Sequence, residues 1–477
     1  MKLSAYELDN SVYDEMFLPS GEARSHCRHL RKALERMSGD EATEIQESVT
    51  RSFRNEGIVF TVYGKSESEE QIIPVDCLPR IITSEEWRII EAGLSQRLTA
   101  LNHFLDDIYN DAKIVSDGVV PKDMIFDCPQ FRPQMKGFSP PEKIWVAICG
   151  TDIIRTNDGF LVLEDNLRVP SGVSYMLANR KAIKSSLRRL FRTCKVREIE
   201  HYGIELTRTL KELAPAGSPN PSIALLTPGV FNSAFYEHVF LAHEIGATLV
   251  EGQDLVVRDG FLFMRTTLGL ERIDVLYRRL DDDFLDPTEF RRDSVLGVPG
   301  ILDACKRGNV SIANSPGTGV ADDKGVYAYV PDIIRYYLGE SAILMNVETR
   351  LCRRPLDLEY TLDNLKDLVV KRVGESGGYG MLIGPQSTQA EREDYAKAVR
   401  ENPAEFVSQP VISLSRAPCI VGRKIEPRHV DLRPFVLSGK QTRIVPGAFC
   451  RVALRRGSLV VNSSQGGGGK DLWVLED

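Results

Sequence analysis

A multidomain protein of mixed α+β / α/β class is what this chain predicts, on three observations. Its 477 residues are enough for roughly two to four domains with hydrophobic cores of their own. Helical periodicity dominates the first quarter, and short strands alternate with a helix in the middle. The last part is β-rich, with strands separated by Gly-containing turns.

Composition narrows the class further. The net charge of −7 argues against a generic nucleic-acid binder, and no long Lys/Arg run contradicts that. Nine cysteines are scattered from Cys27 to Cys450 without a C-x-x-C pair. That pattern fits reduced thiols acting as small buried hydrophobes in a cytoplasm, with no zinc ribbon. The opening MKLSAYELDNSVYDEMF is acidic and lacks a long apolar core, so a signal peptide is not expected. No window is apolar for long enough to span a bilayer. A cytoplasmic protein without nucleic-acid or membrane partners is the expectation; oligomeric state stays open.

Residues 1–120 read as a mostly helical region. His26–Met37 and Ser84–Asn110 carry apolar residues at i, i+3/i+4 spacing, and Ser84-Glu85-Glu86 opens the second helix with acids in its first turn. Gly57–Tyr63 and Gln71–Val75 read as short strands. Arg80, Arg97 and Asn102 are more readily structural or solvated than ligand-binding.

Residues 121–215 hold the most informative stretch, GTDIIRTNDGFLVLEDNLRVPSG over Gly150–Gly172. Two apolar runs, Ile153–Arg155 and Phe160–Leu163, flank Asn157-Asp158-Gly159, a strong hairpin turn. Asp152 opens the first strand. Glu164 and Asn166, two apart, share a face of the second. Two acids and an amide offer oxygen donors suited to a hard cation such as Mg²⁺, although a surface hairpin with solvated charges would read the same way. Lys181–Lys211 follows as a basic helical segment exposing Arg188, Arg189 and Arg192.

Pro215–Pro221 reads as a linker, and residues 216–310 as a small α/β domain. Ser222–Thr227, Ala247–Val250 and Val275–Arg278 are strands, Ser233–Ile245 a helix, and Leu255–Val257 with Phe261–Met264 a hairpin. The run YRRLDDDFLDP, Tyr277–Pro287, follows a strand end, where ligands bind in such sheets; an ion-pair network is the equal alternative.

Residues 311–477 form the last block. SIANSPGTGVADDK places Lys324 in the first turn of a helix, where a cation is mildly unfavourable without an anion nearby. Asp367–Arg372 is a strand with Lys371 near its end, running into GESGGYGM. A lysine beside a Gly-rich loop is a phosphate-binding arrangement, or else a mobile hairpin tip. It is neither a Walker A motif nor a Rossmann fingerprint. Glu405–Val411 reads as a strand leading to a hinge. Leu432–Leu437, Phe449–Leu454 and Leu459–Val461 read as strands, with Arg433 and Arg451 on two of them and Asn462 after the third. DLWVL after the four glycines resumes an apolar pattern, so the Gly-rich turn is expected to be anchored at both ends.

Taken in order, Lys324, Lys371 with its GGYG loop, Gln409 at a hinge, D-L-R at Asp431–Arg433, Arg451 and Asn462 before a Gly-rich turn resemble the nucleotide half of ATP-grasp enzymes. The piece that normally follows, an acid, then E-x-N, Pro and Gly, stands near the other end as Asp152…Glu164-x-Asn166…Pro170-Ser171-Gly172. The chain therefore resembles a circularly permuted ATP-grasp protein of the bacterial type related to glutathionylspermidine synthetase, over nearly its whole length. The resemblance implies that fold, with a helical N-terminal region and a small α/β pre-ATP-grasp domain.

It also implies ATP and Mg²⁺ as cofactors and a carboxylate–amine ligase acting through an acyl phosphate. The substrates would be a small or peptide carboxylate and an amine acceptor. Asp152, Glu164 and Asn166 would hold the metal. Lys324, Lys371, Ser376, Gly377, Gly378, Tyr379, Gly380, Gln409 and Arg433 would bind ATP. Arg451, Arg168 and Asn462 would act at the transferred phosphoryl or the substrate carboxylate. A small-molecule kinase and a non-catalytic nucleotide-binding or assembly module are the alternatives. The permutation carries a geometric expectation: the strand around Phe449–Leu454 should share a sheet with Phe160–Leu163. Glu164 and Asn462 should flank one cleft, and the C-terminus should lie near Trp145–Gly150.

Overall fold

The structure is a computed structural model, and it describes the chain except residues 2, 4–5, 63–68, 375–379 and 462–465. At its centre is a seven-stranded sheet. Its order is Met345–Asn346, Gly159–Asn166, Ile148–Thr156, Arg433–Ser438, Thr442–Val452, Gly468–Val474 and Val75–Ile82. Neighbours are antiparallel except at the two ends, where Met345–Asn346 runs parallel to Gly159–Asn166 and Gly468–Val474 parallel to Val75–Ile82.

Alternation explains why both faces of this sheet are covered. Along one strand Phe435 and Leu437 enter one core and Val436 the other; along another Trp473 enters the first, Leu472 and Val474 the second. The first core also takes Met176, Ile183, Leu206 and Leu210 from the helices Val173–Ser186 and Tyr202–Glu212. The second takes Trp87, Leu94, Leu101 and Phe104 from the helix Ser84–Tyr109. That long helix starts as its acids suggest, but the cap is Thr83: its side chain accepts from Glu86 N, and Glu86 returns to Thr83 N.

A parallel sheet in the order Ser311–Ala313, Val275–Arg278, Ile223–Leu226 and Thr248–Val250 packs with the helix Phe235–Ile245. A small antiparallel sheet, ordered Arg350–Leu351, Phe406–Pro410, Leu368–Arg372 and Leu382–Ile383, rests on the helices Pro355–Asp363 and Gln389–Glu401.

The expected hairpin forms as Ile148–Thr156 and Gly159–Asn166. The strand carrying Phe449 lies in its sheet, with Arg433–Ser438 between. The last strand ends at the same end of the sheet at which Ile148–Thr156 begins, with two strands between them.

Three expectations need correction, and one helix lies outside them. Leu459–Val461 is not a strand; the strand after the turn is Gly468–Val474, which begins inside the glycine run. Lys181–Lys211 is not one helix, because the backbone at Val196 and Arg197 leaves it to pair with Leu475 and Val474. Gln71–Val75 is cut at Ile73–Pro74, since proline cannot donate to a ladder. A helix at Gly39–Asn55, capped by Ser38 with Glu41 three residues on, was not foreseen. All nine cysteines are free.

Candidate active site

The hairpin register brings the oxygen donors together. Asp152 stands opposite Glu164, and Gly150 opposite Asn166, with a bulge between Asp152 and Ile153. The Asn166 amide nitrogen donates to Gly150 O at 3.1 Å, and its amide oxygen carries no hydrogen bond among the described residues.

The neighbouring strands add two arginines. Arg433 grips Asp152 with two nitrogens, Nη2 at 2.8 Å from Oδ2, and donates to Ser171 O at 3.2 Å. Arg451 Nη2 reaches the same Oδ2 at 2.6 Å. Arg451 is itself clamped by Asp431, with Nε 3.0 Å from Oδ1 and Nη2 2.5 Å from Oδ2. Fork geometry of this kind suits guanidinium–carboxylate pairs and fixes orientation as well as charge.

This packing splits the two hairpin acids. Burial pushes the Asp152 carboxyl up, but Arg433 and then Arg451 outweigh it and hold it well below the usual carboxylate range. For Glu164 the surrounding protein, and then the negative Asp152, push the carboxyl up, against Arg433, Lys371 and Lys324. Yet 40% of the Glu164 side chain remains exposed, so it faces open space, and Arg433 Nη2 stays 3.8 Å away.

The opposing lysines come from other elements. Lys371 lies on Leu368–Arg372, with Nζ 2.7 Å from Gln409 Oε1; Gln409 passes its amide to Thr349 Oγ1 at 2.9 Å. Burial lowers Lys371 to about 8; Glu164 and Asp152 raise it, and Lys324 lowers it further. Lys324 opens the short helix Lys324–Tyr327, whose cap Asp323 accepts from Gly325 N and Val326 N. Strands and loops far apart in sequence thus set Asp152, Glu164, Lys371 and Lys324 within mutual electrostatic reach.

Arg168 joins Asp322 at 2.7 Å and Asp281 at 3.4 Å, linking the hairpin exit to the loop before Lys324 and to the YRRLDDD run. Gly380 is described, with a left-handed φ of +65°. Ser376, Gly377, Gly378, Tyr379 and Asn462 lie outside the described residues, and with them the expected Glu164–Asn462 cleft contact. Arg80, Arg97 and Asn102 take structural roles. Arg80 pairs with Glu15 at 2.6 Å, Arg97 with Asp165 at 2.7 Å, and Asn102 exchanges hydrogen bonds with the Val146 backbone.

Sequence reasoning did not foresee the contacts made by four parts of this frame: Asp431, Asn314, Asp322 and the Glu237–Arg279 pair. Asn314 is a hub, accepting from Ala147 N and Ile148 N and donating to Ile148 O and Leu167 O. Asp431 sits in the D-L-R run and Asp322 in the VADDK run, so their motifs were visible, but their partners were not.

Comparison with known proteins decides the family. A family model described as circularly permuted ATP-grasp type 2 matches residues 79–453. The chain belongs to that family. This ATP-grasp chain is 50% identical over 478 residues to an uncharacterized protein of Synechocystis sp., covering 100% of this chain and 99% of the relative. It is 44% identical over 466 residues to an uncharacterized protein of Mycobacterium tuberculosis, covering 97% and 84%. A Frankia casuarinae protein with the provisional name glutamate--cysteine ligase 2-2 is 40% identical over 465 residues. That match takes 97% of this chain but only 53% of the relative, so the chain spans about half of that protein. Among solved structures, a glutathione synthetase-like effector from Globodera pallida in apo form superposes with a TM-score of 0.57. It covers 96% of this chain and 100% of that one at 11% identity, a likeness of fold. The family is one of ATP-grasp ligases, which form carbon–nitrogen bonds and generally use ATP and Mg²⁺. Among the described residues, no helix is long and apolar enough to cross a membrane.

Proposed function

We propose that this chain is an ATP- and Mg²⁺-dependent carboxylate–amine ligase working through an acyl phosphate. The observation that carries the reading is the hairpin register that sets Asp152 opposite Glu164, with the charges of Lys371 and Lys324 favouring the ionised form of Glu164. Two acids beside two cations, on separate elements, suit a bound polyphosphate and its metal.

The donor set fits a hard divalent cation. Glu164 faces open space and is pressed toward its protonated form by its neighbours, a strain that a cation would relieve. Asn166 offers an amide oxygen, and Asp152 adds charge while its oxygens orient the arginines. Among the described residues no three His, Cys, Asp or Glu side chains gather as a metal site, so the two hairpin acids would need the amide as a further donor. Bound there, Mg²⁺ would neutralise charge on phosphate oxygens.

The residues divide the remaining work. Lys371 and Lys324 hold the α- and β-phosphates as point charges, and the loop at Ser376–Gly380 covers them. Backbone groups near Gln409 hold adenine, since its side chain is already engaged with Lys371 and Thr349. Arg451 and Arg433 meet the negative charge of the transferring phosphoryl, with Asn462 as a neutral donor. Arg168, tied to Asp322, steadies the loop that leads to Lys324. A substrate carboxylate oxygen attacks the γ-phosphorus and ADP leaves. The amine nitrogen then attacks the acyl carbon, phosphate departs, and the amine gives up a proton.

The domain layout expected from the sequence is part of the same proposal: 1–120 as helical support, 121–215 as the metal-hairpin piece, 216–310 as the α/β unit and 311–477 as the nucleotide-binding portion. The Frankia relative's name points to amino-acid substrates, and the cytoplasmic setting expected from the sequence belongs to the same proposal. ADP release tests the reading when the protein is offered pools of amino acids and peptides, glutamate and cysteine first, with mass spectrometry of products. A new amide together with ADP is the expected result. A stable phosphorylated product would make the protein a kinase, and no nucleotide turnover would make it a binding module.

A further inference from the structure

The turn that leaves the metal hairpin is held by charges from another sheet. Pro170-Ser171-Gly172 begins four residues after Asn166. Arg279, just past the strand Val275–Arg278, donates from Nη1 to Pro170 O at 2.6 Å. Its Nη2 pairs with Glu237 Oε1 at 2.8 Å, and both side chains are 1% exposed or less. Glu237, in the first turn of the helix Phe235–Ile245, spends its other oxygen on the turn itself. Its Oε2 accepts from Gly172 N at 2.7 Å, Ser174 N at 3.1 Å and Ser174 Oγ at 2.9 Å.

Two features argue that this joint is more than filler. A buried ion pair is a poor source of net stability, because desolvation of both charges offsets their attraction. This one also leaves Arg279 Nε without a partner among the described residues. What it does supply is position. Gly172 has a φ of +119°, and a Cβ there would lie 2.9 Å from Phe449 Cδ1, so the turn has one tight path, and Glu237 and Arg279 pin three of its backbone groups to that path.

The grip continues into the parallel sheet. His238, next to Glu237, shares a hydrogen bond of 2.9 Å with Thr227 Oγ1, which accepts from Gly229 N at 3.2 Å. Thr227 and Gly229 lie just beyond the strand Ile223–Leu226, at the carboxyl edge where ligands bind in sheets of this kind.

We propose that Glu237 and Arg279 are positioning residues for the cation-binding strand: the buried pair fixes the Pro170–Gly172 turn and through it the placement of Glu164 and Asn166. This rests on the ligase reading above. Partners that orient metal ligands without touching the metal commonly set its affinity by an order of magnitude or more.

The test is calorimetric titration of the non-hydrolysable analogue AMPPNP into the full chain, in EDTA and across a series of Mg²⁺ concentrations. Glu237→Gln keeps the shape of the side chain but loses the charge, and it points an amide at donors. The half-saturating Mg²⁺ concentration should rise about tenfold, with AMPPNP affinity in EDTA unchanged. Ser174→Ala removes one of the three donors to Glu237 Oε2 and should give a smaller shift in the same direction, which decides the matter if Glu237→Gln does not fold. A merely structural clamp would lower affinity with and without Mg²⁺ alike. That result, or an unmoved half-saturation in the folded variants, overturns the inference and leaves the ligase reading standing. A parent whose AMPPNP binding ignores Mg²⁺ overturns both.

Discussion

The two walls that face each other across Glu164 are built differently. The hairpin wall belongs to a seven-stranded sheet buried on both faces, and its charges are interlocked: Asp152 with Arg433 and Arg451, Arg451 with Asp431. On the lysine wall, Lys371 stands on a small sheet over a modest core around Cys352, Leu365, Val370, Val399 and Phe406. There, among the described residues, Lys371 donates one side-chain hydrogen bond, to the neutral Gln409. On one wall the charges of Asp152 and Arg451 are met by protein. The other holds Lys371 at a desolvation cost that shows in its lowered pKa. Charge arriving from outside should therefore be felt on the lysine wall as binding, and mutations on the hairpin wall should be felt as stability.

The largest effect expected from that contrast is on stability. Asp431→Ala strips the main carboxylate from Arg451, a guanidinium with 7% side-chain exposure. Asp152 would still hold one nitrogen, so the loss should be about 3 kcal/mol, the lower end for breaking a buried pair. Urea unfolding measures it. A midpoint equal to the parent's would mean that the hairpin wall is not interlocked in solution.

Lys371→Ala should do the reverse. Loss of a charge-assisted phosphate contact should weaken ATP about ten- to a hundredfold, roughly 1.5–3 kcal/mol, with the unfolding midpoint little changed. An unaltered affinity by calorimetry would take Lys371 out of the site.

Legibility in the sequence followed the same division. Residues whose role is local were readable: the Asn157-Asp158-Gly159 turn fixed the hairpin, and spacing placed Glu164 and Asn166 on one face. The place of Lys371 near the end of its strand was readable for the same reason. The ordered motifs also disclosed the permuted family, because motif order survives when sequence neighbours change. Long-range partners were not readable. Nothing around Asp431 signals that it clamps Arg451 while Arg451 also holds Asp152, 299 positions away. Glu237 looks like a solvated acid in an amphipathic helix, and only the packing of two sheets turns it into a ligand for Gly172 N. Leu459–Val461 misled because a short β-branched run reads as a strand wherever it stands. The glycine-bearing Gly468–Val474 is the real strand, and its glycines fit because Pro74 O lies 2.7 Å from where a Gly468 Cβ would be.

A smaller effect should appear in proton exchange. Lys371 titrates near 8 in the free protein, because burial disfavours its charge. A phosphate beside it favours that charge and returns its pKa toward the ordinary lysine value. Nucleotide binding in EDTA near pH 8.5 should therefore take up protons, up to about one per site, and less at pH 7. Calorimetry in buffers of different ionisation enthalpy reads the number directly. No uptake at either pH would place the phosphates away from Lys371.

The smallest effect is the most specific to Glu164. Glu164 has its pKa raised above the ordinary 4.5, by its protein surroundings first and by Asp152 second. A group raised on folding contributes stability that is complete below its unfolded pKa and is lost as pH rises through its folded one. The parent in EDTA should therefore lose stability as pH climbs from about 4.5 through Glu164's folded pKa. Glu164→Gln has no proton to lose there, so its stability should change less over that interval. At neutral pH it should then be the more stable of the two by a fraction of the repulsion it removes, about 1 kcal/mol or less for a partly exposed group. Mg²⁺ should reverse the ranking, since a cation stabilises the parent by binding its folded state and gives the glutamine variant less. Parallel unfolding curves for the two proteins, in EDTA at pH 5 and pH 7 and again with Mg²⁺, separate these terms. If the two curves coincide under all conditions, Glu164 is a solvated surface acid, and the contrast between the walls reduces to Asp152 and its arginines.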